Sequence, residues 1–360
     1  MAHIRKDMIS FFLTTKCNLN CGYCYTNKTA HKEQTLSLEF AKAGIEDYFS
    51  YNRSRHIRFF AAGEPTEAME LMKQIRQHAF AVGGSGVLVE SQTNGAFSIS
   101  RARWLAENVN IIWVSSDGTP VMQDLYRRTL KGKPTSKVVE RNIRFLVKNC
   151  CGTVGVRTTI TAANVGLQTQ ILEYFGGLGV RAVWSDPLFP SVGQTEVTGG
   201  PDPMEYAHEF VVAERYARQN GIFYGSILTC NFDEDIVGHC RACLPAPHLT
   251  TDGYVSACDM ALFGRDGGPM AVFIYGRWNA ERGRIEYDQQ KIDALRSRTV
   301  EHLAGCRGCE ARFRCGGYCL GEVLNETGSL YGKKARTCEA IRYLWHNLPR
   351  PASLYPCLHP

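Results

Sequence analysis

The sequence predicts an α/β chain, a partial (β/α)6 barrel of TIM-like form followed by a smaller cysteine-rich domain. Three observations carry that expectation. Between residues 8 and about 190, six short β-rich runs alternate with helical stretches; such alternation builds a parallel sheet whose right-handed crossovers keep the strands in sequence order. A Gly- and Pro-rich stretch, PSVGQTEVTGGPDP at 190–203, reads as a linker. Beyond it, nine of the chain's 15 cysteines fall between Cys230 and Cys338. The 360 residues suit one large domain plus a smaller one. The expected divisions are a barrel over 1–190, a linker and helix over 191–229, a cysteine-rich domain over 230–345, and a tail over 346–360.

The elements follow in order. MISFFL at 8–13 is a first strand, and a helix is expected near 37–49. HIRFFA at 56–61 precedes a helix near 66–80, and GVLVESQ at 86–92 precedes one near 100–108. IIWVSS at 111–116 is followed by a helix near 135–147, TVGVRTTIT at 153–161 by one near 166–175. VRAVWSD at 180–186 ends the series, and a helix near 203–219 follows the linker. Loops at the C-terminal strand ends hold the unusual residues: Ala61-Ala62-Gly63-Glu64-Pro65, Thr93-Asn94-Gly95 and Ser115-Ser116-Asp117-Gly118. Gly, Asn, Asp and Pro are ordinary turn formers, but the shared rim is where parallel α/β folds place chemistry.

Composition excludes several classes. Hydrophobic content of 44% and charged content of 21% describe an ordinary globular chain. No apolar run approaches a membrane span, and MAHIRKDMIS lacks the core of a signal peptide, so a cytoplasmic location without membrane contact is expected. A formal charge of +6 with no basic block does not imply nucleic acid. In a reducing compartment, 15 cysteines point to metal ligation rather than disulfides.

KCNLNCGYCYT at 16–26 places Cys17, Cys21 and Cys24 on the loop leaving the first strand. A structural zinc site usually takes four ligands, whereas a [4Fe-4S] cluster on three thiolates keeps one iron open for a further ligand. A zinc knuckle completed by a distant residue, or plain reduced thiols, are the other uses of such a loop.

KCNLNCGYCY resembles the cluster loop of the radical S-adenosylmethionine enzymes, in which the nucleotide's amino and carboxylate groups chelate the open iron. The resemblance implies a 5′-deoxyadenosyl radical that removes a hydrogen atom from an unactivated C–H bond. AAGEPT is similar to that family's Gly-Gly-Glu-Pro motif, with Ala62 at the first glycine and Glu64 placed for the ammonium group. Tyr23 takes the aromatic position beside the adenine. QTNG, with Asn94, and VSSDGTPVMQDLYRR resemble segments that line the ribose and the carboxylate; this implies Ser115 and Arg127 for the carboxylate and Asp124 as the orienter of Arg127, which is otherwise a surface helix charge. Cys243, Gly253 and Cys258, then Cys306, Cys309, Cys315 and Cys319, then Cys338 resemble the seven-cysteine SPASM extension. That implies two auxiliary [4Fe-4S] clusters, three clusters in all: Cys243, Cys258 and Cys319 on the nearer, and Cys306, Cys309, Cys315 and Cys338 on the farther. Cys240 is the choice to complete the nearer set, with Cys230 the alternative, and zinc remains open for these cysteines. Cys150, Cys151 and Cys357 fit no pattern. Asp259, directly after Cys258, sits where the anaerobic sulfatase-maturing enzymes of this superfamily place a proposed base; a turn-capping role is the alternative.

The function implied is oxidative modification, by crosslink or unsaturation, of a ribosomally made precursor peptide. Formylglycine formation on a sulfatase and dehydrogenation of a small molecule are the alternatives. Because Cys17 lies so near the start of the sequence, a separate leader-binding protein or the enzyme's own surface is expected to recognise the peptide. A flavodoxin- or ferredoxin-type protein is the expected electron donor.

Overall fold

The computed structural model describes residues 8–26, 33–60, 62–191, 199–265 and 268–349. Ala61, Cys357, residues 192–198 of the expected linker and the end of the expected tail lie outside the described residues.

Seven strands pair in parallel in sequence order: β1 (Ile9–Phe12), β2 (His56–Phe60), β3 (Leu88–Thr93), β4 (Ile111–Ser115), β5 (Thr153–Ile160), β6 (Ala182–Pro187) and β7 (Phe223–Gly225). Side chains alternate across a strand, and the sequence uses both faces. Ile9 and Phe11 with Ile57 and Phe59 turn outward, packing with Phe40, Ile45 and Met72 from the helices. Phe12 and Phe60 turn inward with Leu262, and Trp113 and Trp184 form a second inward group. Fully burying each such side chain contributes roughly 1.5–3 kcal/mol.

The helices are α1 (Leu38–Tyr51), α2 (Met69–Gly83), α3 (Ile99–Asn108), α4 (Pro120–Tyr126), α5 (Ser136–Asn149), α6 (Gln168–Gly177) and α7 (Pro203–Gln219). The starts of α1, α3 and α7 follow from side-chain caps. Ser37 Oγ accepts from Phe40 N at 3.3 Å, and Asp202 Oδ1 accepts from Met204 N at 2.9 Å. Each satisfies a backbone donor that the first helical turn leaves unpaired.

The parallel sheet is larger than six strands. β7 lies within the stretch expected as linker and helix, and its Phe223 stacks on Trp184 with ring centroids 6.3 Å apart. On the other side, β8 (His248–Leu249) pairs in parallel with β1. β8 continues into an antiparallel meander of β9 (Tyr254–Ser256), β10 (Ile274–Asn279) and β11 (Arg284–Tyr287). One sheet of 11 strands therefore runs from the C-terminal region through the barrel. Short helices complete the chain: α8 (Gln289–Ser297), a single turn α9 (Arg312–Cys315), α10 (Leu320–Thr327) and α11 (Ala335–Asn347), the last lying along α7. No helix among the described residues is long and apolar enough to cross a membrane.

Candidate active site

The loop after β1 carries Cys17, Cys21 and Cys24, all partly buried, and neighbouring segments fix its backbone. Asn20 N donates to Arg128 O at 2.8 Å and Gly22 N to Tyr126 O at 3.0 Å. From the other side, Gly63 N donates to Thr14 O at 3.0 Å and Glu64 N to Lys16 O at 2.8 Å. A Cβ at Gly63 would lie 2.0 Å from Lys16 O. Only glycine lets the loop after β2 come this close to the cysteine loop, and the neighbouring position accepts Ala62, which is buried.

Glu64 is buried, and burial raises its carboxyl above the usual range against the bonds that favour its charge. Its Oε1 accepts from Thr66 N at 3.1 Å, Thr66 Oγ1 at 2.8 Å and Thr93 Oγ1 at 2.6 Å, and its Oε2 accepts from Asn94 N at 2.7 Å. A carboxylate offers about four lone-pair sites, so Oε2 keeps capacity for one donor from outside the protein. Asn94 Nδ2 donates to Asn18 Oδ1 at 2.7 Å, tying the β3 rim to the cysteine loop.

Arg127 is buried and turns inward rather than lying on a helix surface. Its Nε is 3.0 Å from Asp117 Oδ1, and its guanidinium lies 5.3 Å from the centre of the Tyr23 ring. Burial opposes its charge, yet Asp117 and its neighbours hold the group firmly protonated. Tyr23 Oη donates to Asp117 Oδ2, and burial raises the phenol further. Asp124, expected to orient Arg127, does not. Its Oδ1 accepts from Thr135 N at 2.7 Å and Ser136 N at 2.9 Å, closing the start of α5. The three-residue helical spacing fails because α4 ends at Tyr126 and Arg127 leaves helical geometry at φ −95°, ψ 78°. Asp117 takes the orienting part.

Asp259 faces the same space but is no isolated carboxylate. Arg58 pairs with its Oδ1, His248 Nδ1 lies 2.9 Å from that oxygen, and Arg241 Nη2 lies 3.4 Å from Oδ2. Burial works the other way, but Arg58 and Arg241, with the His248 ring beside them, hold the Asp259 carboxyl well below its ordinary value. His248 is pushed down to about 4, first by burial and then by Arg241.

One cavity of about 260 Å³ joins these parts. It is lined by Cys17, Cys21, Cys24, Tyr23, Glu64, Asn94, Ser115 and Arg127 on one side and by Asp259 and Met260 on the other. Arg157 and Asp186, paired at 2.9 Å, stand in its wall.

The later cysteines fall into two groups. Cys240 lies close enough to Cys243, Cys258 and Cys319 for each to feel its charge, and Cys319 feels Cys258 as well. Burial pushes the thiols of Cys243 and Cys258 up to about 12. Cys230 lies against His239 Nε2 at 3.9 Å and Ile227 O at 3.5 Å. Cys306, Cys309, Cys315 and Cys338 line a second, smaller hollow. Burial also raises the thiols of Cys306, Cys315 and Cys338; a cation that joins thiols turns them into thiolates, so both sets have donor chemistry that fits metal. No three His, Cys, Asp or Glu side chains among the described residues converge closely enough for a single ion; a cubane asks each thiolate for a different iron. The groups are tied together by Arg298, which donates to Gly316 O at 2.9 Å and Gly317 O at 2.8 Å between Cys315 and Cys319.

Sequence reasoning left Asp117, Thr93, Thr66, Arg58, Arg241 and His248 without roles. Arg58 gave a signal, being a charge at an inward position of the otherwise apolar HIRFF. The others read as turn or strand residues until the fold brings them together.

Residues 11–162 match the Radical SAM superfamily model. The chain is 26% identical over 329 residues to the tungsten-containing aldehyde ferredoxin oxidoreductase cofactor-modifying protein of Pyrococcus furiosus, across 84% of this chain and 87% of that one. Among solved structures it resembles anSMEcpe with bound AdoMet, with TM-score 0.77, 16% identity, and coverage of 94% of this chain and 96% of that one. It also resembles SuiB of Streptococcus suis bound to S-adenosylmethionine, with TM-score 0.66, 12% identity, and coverage of 92% and 77%.

Proposed function

From the premise that residues 11–162 form a radical SAM domain, we propose that this chain oxidises a C–H position of a ribosomally made peptide, closing a crosslink or an unsaturation. The observation that carries the reading is the single cavity shared by the first cysteine loop and the Cys258–Asp259 loop. Cys17, Cys21 and Cys24 would hold a nucleotide-binding [4Fe-4S] cluster. Cys240, Cys243, Cys258 and Cys319 would hold one auxiliary cluster, and Cys306, Cys309, Cys315 and Cys338 another. The first cluster, reduced and carrying S-adenosylmethionine, would supply a 5′-deoxyadenosyl radical, and the auxiliary clusters a path for the electron removed from the substrate.

The chain's own groups do the rest. Glu64 Oε2 accepts from the nucleotide's ammonium. Ser115 and the Arg127 guanidinium, aimed by Asp117, take its carboxylate. Asn94 faces the ribose and Tyr23 the adenine. Asp259 accepts the substrate proton at Oδ2, the oxygen that carries only the 3.4 Å contact to Arg241. A low proton affinity suits this task, because the proton of a substrate cation left by electron loss is strongly acidic. The peptide reading draws support from the likeness to anSMEcpe solved with AdoMet and Cp18Cys peptide and to SuiB solved with precursor peptide SuiA. A precursor peptide, a leader-binding protein and a one-electron donor are the partners it requires.

A second reading rests on the Pyrococcus furiosus relative, which spans most of both chains and is named for modifying a cofactor. The test offers reconstituted enzyme either short peptides encoded beside its gene or the organic cofactor of a tungsten oxidoreductase, with dithionite and S-adenosylmethionine. A peptide that loses two hydrogens while 5′-deoxyadenosine accumulates supports the first reading. Stimulation by the cofactor with no change in any peptide overturns it.

A further inference from the structure

We propose that the outer face of α4 and the turn after it is the docking surface for a small acidic one-electron carrier protein, which reduces the cluster on Cys17, Cys21 and Cys24. The inference rests on the reading of that loop as the reducible cluster.

α4 packs Met122 against the core but turns Val121 and Leu125 to solvent. A surface helix turns its apolar stripe to the core, but here the buried side chain is Gln123, bonded through Oε1 to Ser116 Oγ at 3.2 Å and Asp117 N at 3.0 Å. Val121 is 83% exposed and Leu125, on the same face four residues on, is 53% exposed. Leu130, in the tight turn closed by Gly132 N to Thr129 O at 2.9 Å, is 66% exposed. Exposed apolar side chains grouped in this way mark interaction sites.

Position and charge identify the partner. The inner side of the same segment is bonded to the cysteine loop through Asn20, Gly22 and the Leu19–Thr129 bridge. One backbone layer therefore separates the face from Cys17 and Cys21. Around the apolar residues stand exposed Arg128, Lys131, Lys133 and Lys137. The sole acid between residues 119 and 137 is Asp124, whose carboxylate is engaged at the start of α5. Such a rim attracts an acidic surface. A second copy of this chain fits poorly, since a two-fold contact would set these cations against themselves. The transfer itself balances simply: the reduced carrier loses one electron, the cluster gains one, and no proton or bond moves.

The test uses the anaerobically reconstituted full chain and, as probe, an acidic flavodoxin. Its binding is followed by fluorescence anisotropy at low and high salt, and 5′-deoxyadenosine release is followed with either reduced flavodoxin or dithionite. Lys131→Glu combined with Lys133→Glu is expected to weaken binding at least about tenfold at low salt, flatten its salt dependence, and cut flavodoxin-driven release in proportion while dithionite-driven release is unchanged. Leu125→Asp is expected to weaken binding at every salt concentration. Flavodoxin that binds the charge-reversed variant as tightly as the unaltered chain overturns the proposal. So does a dimer that these variants dissolve, or loss of peptide binding with flavodoxin binding intact. If dithionite releases no 5′-deoxyadenosine from the unaltered chain, the cluster reading fails, and the binding measurement still decides the surface.

Discussion

The barrel and the cysteine-rich region both gather thiols, but they place them by opposite means. In the barrel, Cys17, Cys21 and Cys24 come from one short loop that leaves β1 and is bonded on both sides by neighbouring segments. After residue 230, the cysteines arrive from segments as far apart as Cys240 and Cys338, strung among short strands and helices whose apolar side chains join the same core as the barrel's. There Arg298 and left-handed backbone at Gly316, Gly317 and Tyr318 hold the cysteine loop in shape. On the cluster reading proposed above, the first cluster would be mounted on one loop of the barrel, whereas the others would join segments distant in sequence.

Metal loss should separate the two regions most strongly. Reconstituted protein is expected to hold about twelve irons, roughly four for each cubane. Replacing Cys17, Cys21 and Cys24 by Ala should remove about a third of the iron and all nucleotide cleavage while leaving hydrogen exchange in the strands unchanged. Replacing Cys306, Cys309 and Cys338 by Ala should instead expose residues 298–345 to rapid exchange and proteolysis. Equal protection in both variants would erase the contrast.

A smaller and more local effect is expected at Gly63. Gly63→Ala forces a methyl group against Lys16 O, so the cysteine loop must shift. Nucleotide cleavage should fall by about 100-fold, on the order of 3 kcal/mol, with iron in the C-terminal clusters retained. Normal cleavage would show that the loop tolerates displacement.

The smallest effect lies at the seam between the regions, where β8 carries His248. The native imidazole is held to about 4, while the unfolded chain's titrates near 6.5. Between those values the unfolded state binds the extra proton, so stability rises with pH across that window and is lost as pH falls through it. The loss at pH 5 is roughly 2 kcal/mol relative to neutral pH. His248→Gln should flatten this slope, read as Tm at about pH 5 and 7 with iron content checked at both. An unchanged slope would assign it to other groups.

The strands of the barrel were legible because each is an apolar run of four to eight residues bounded by turn formers. β7 and β8 were not, since three and two residues carry no periodicity; their pairing is decided by distant strands. Cys17, Cys21 and Cys24 stood out by residue type and spacing, whereas Glu64 and Arg127 were singled out only by the resemblance of their segments to a known family's motifs. The partners were found by neither route, because Asp117 reaches Arg127 only where the helix breaks, and Arg58 meets Asp259 only after residues 201 apart in sequence have folded together.

The pairing of β8 with β1 has a further consequence. Every strand of the barrel's first half is hydrogen-bonded on both sides, and β1 gains its outer partner from His248 and Leu249. A truncation after α7 would strip that partner away and leave an apolar strand, ISFF, with unpaired backbone groups at the root of the cysteine loop. Such an edge templates pairing with other chains. The isolated barrel would thus tend to self-associate along the bared edge of β1, which makes the C-terminal region a guard against aggregation.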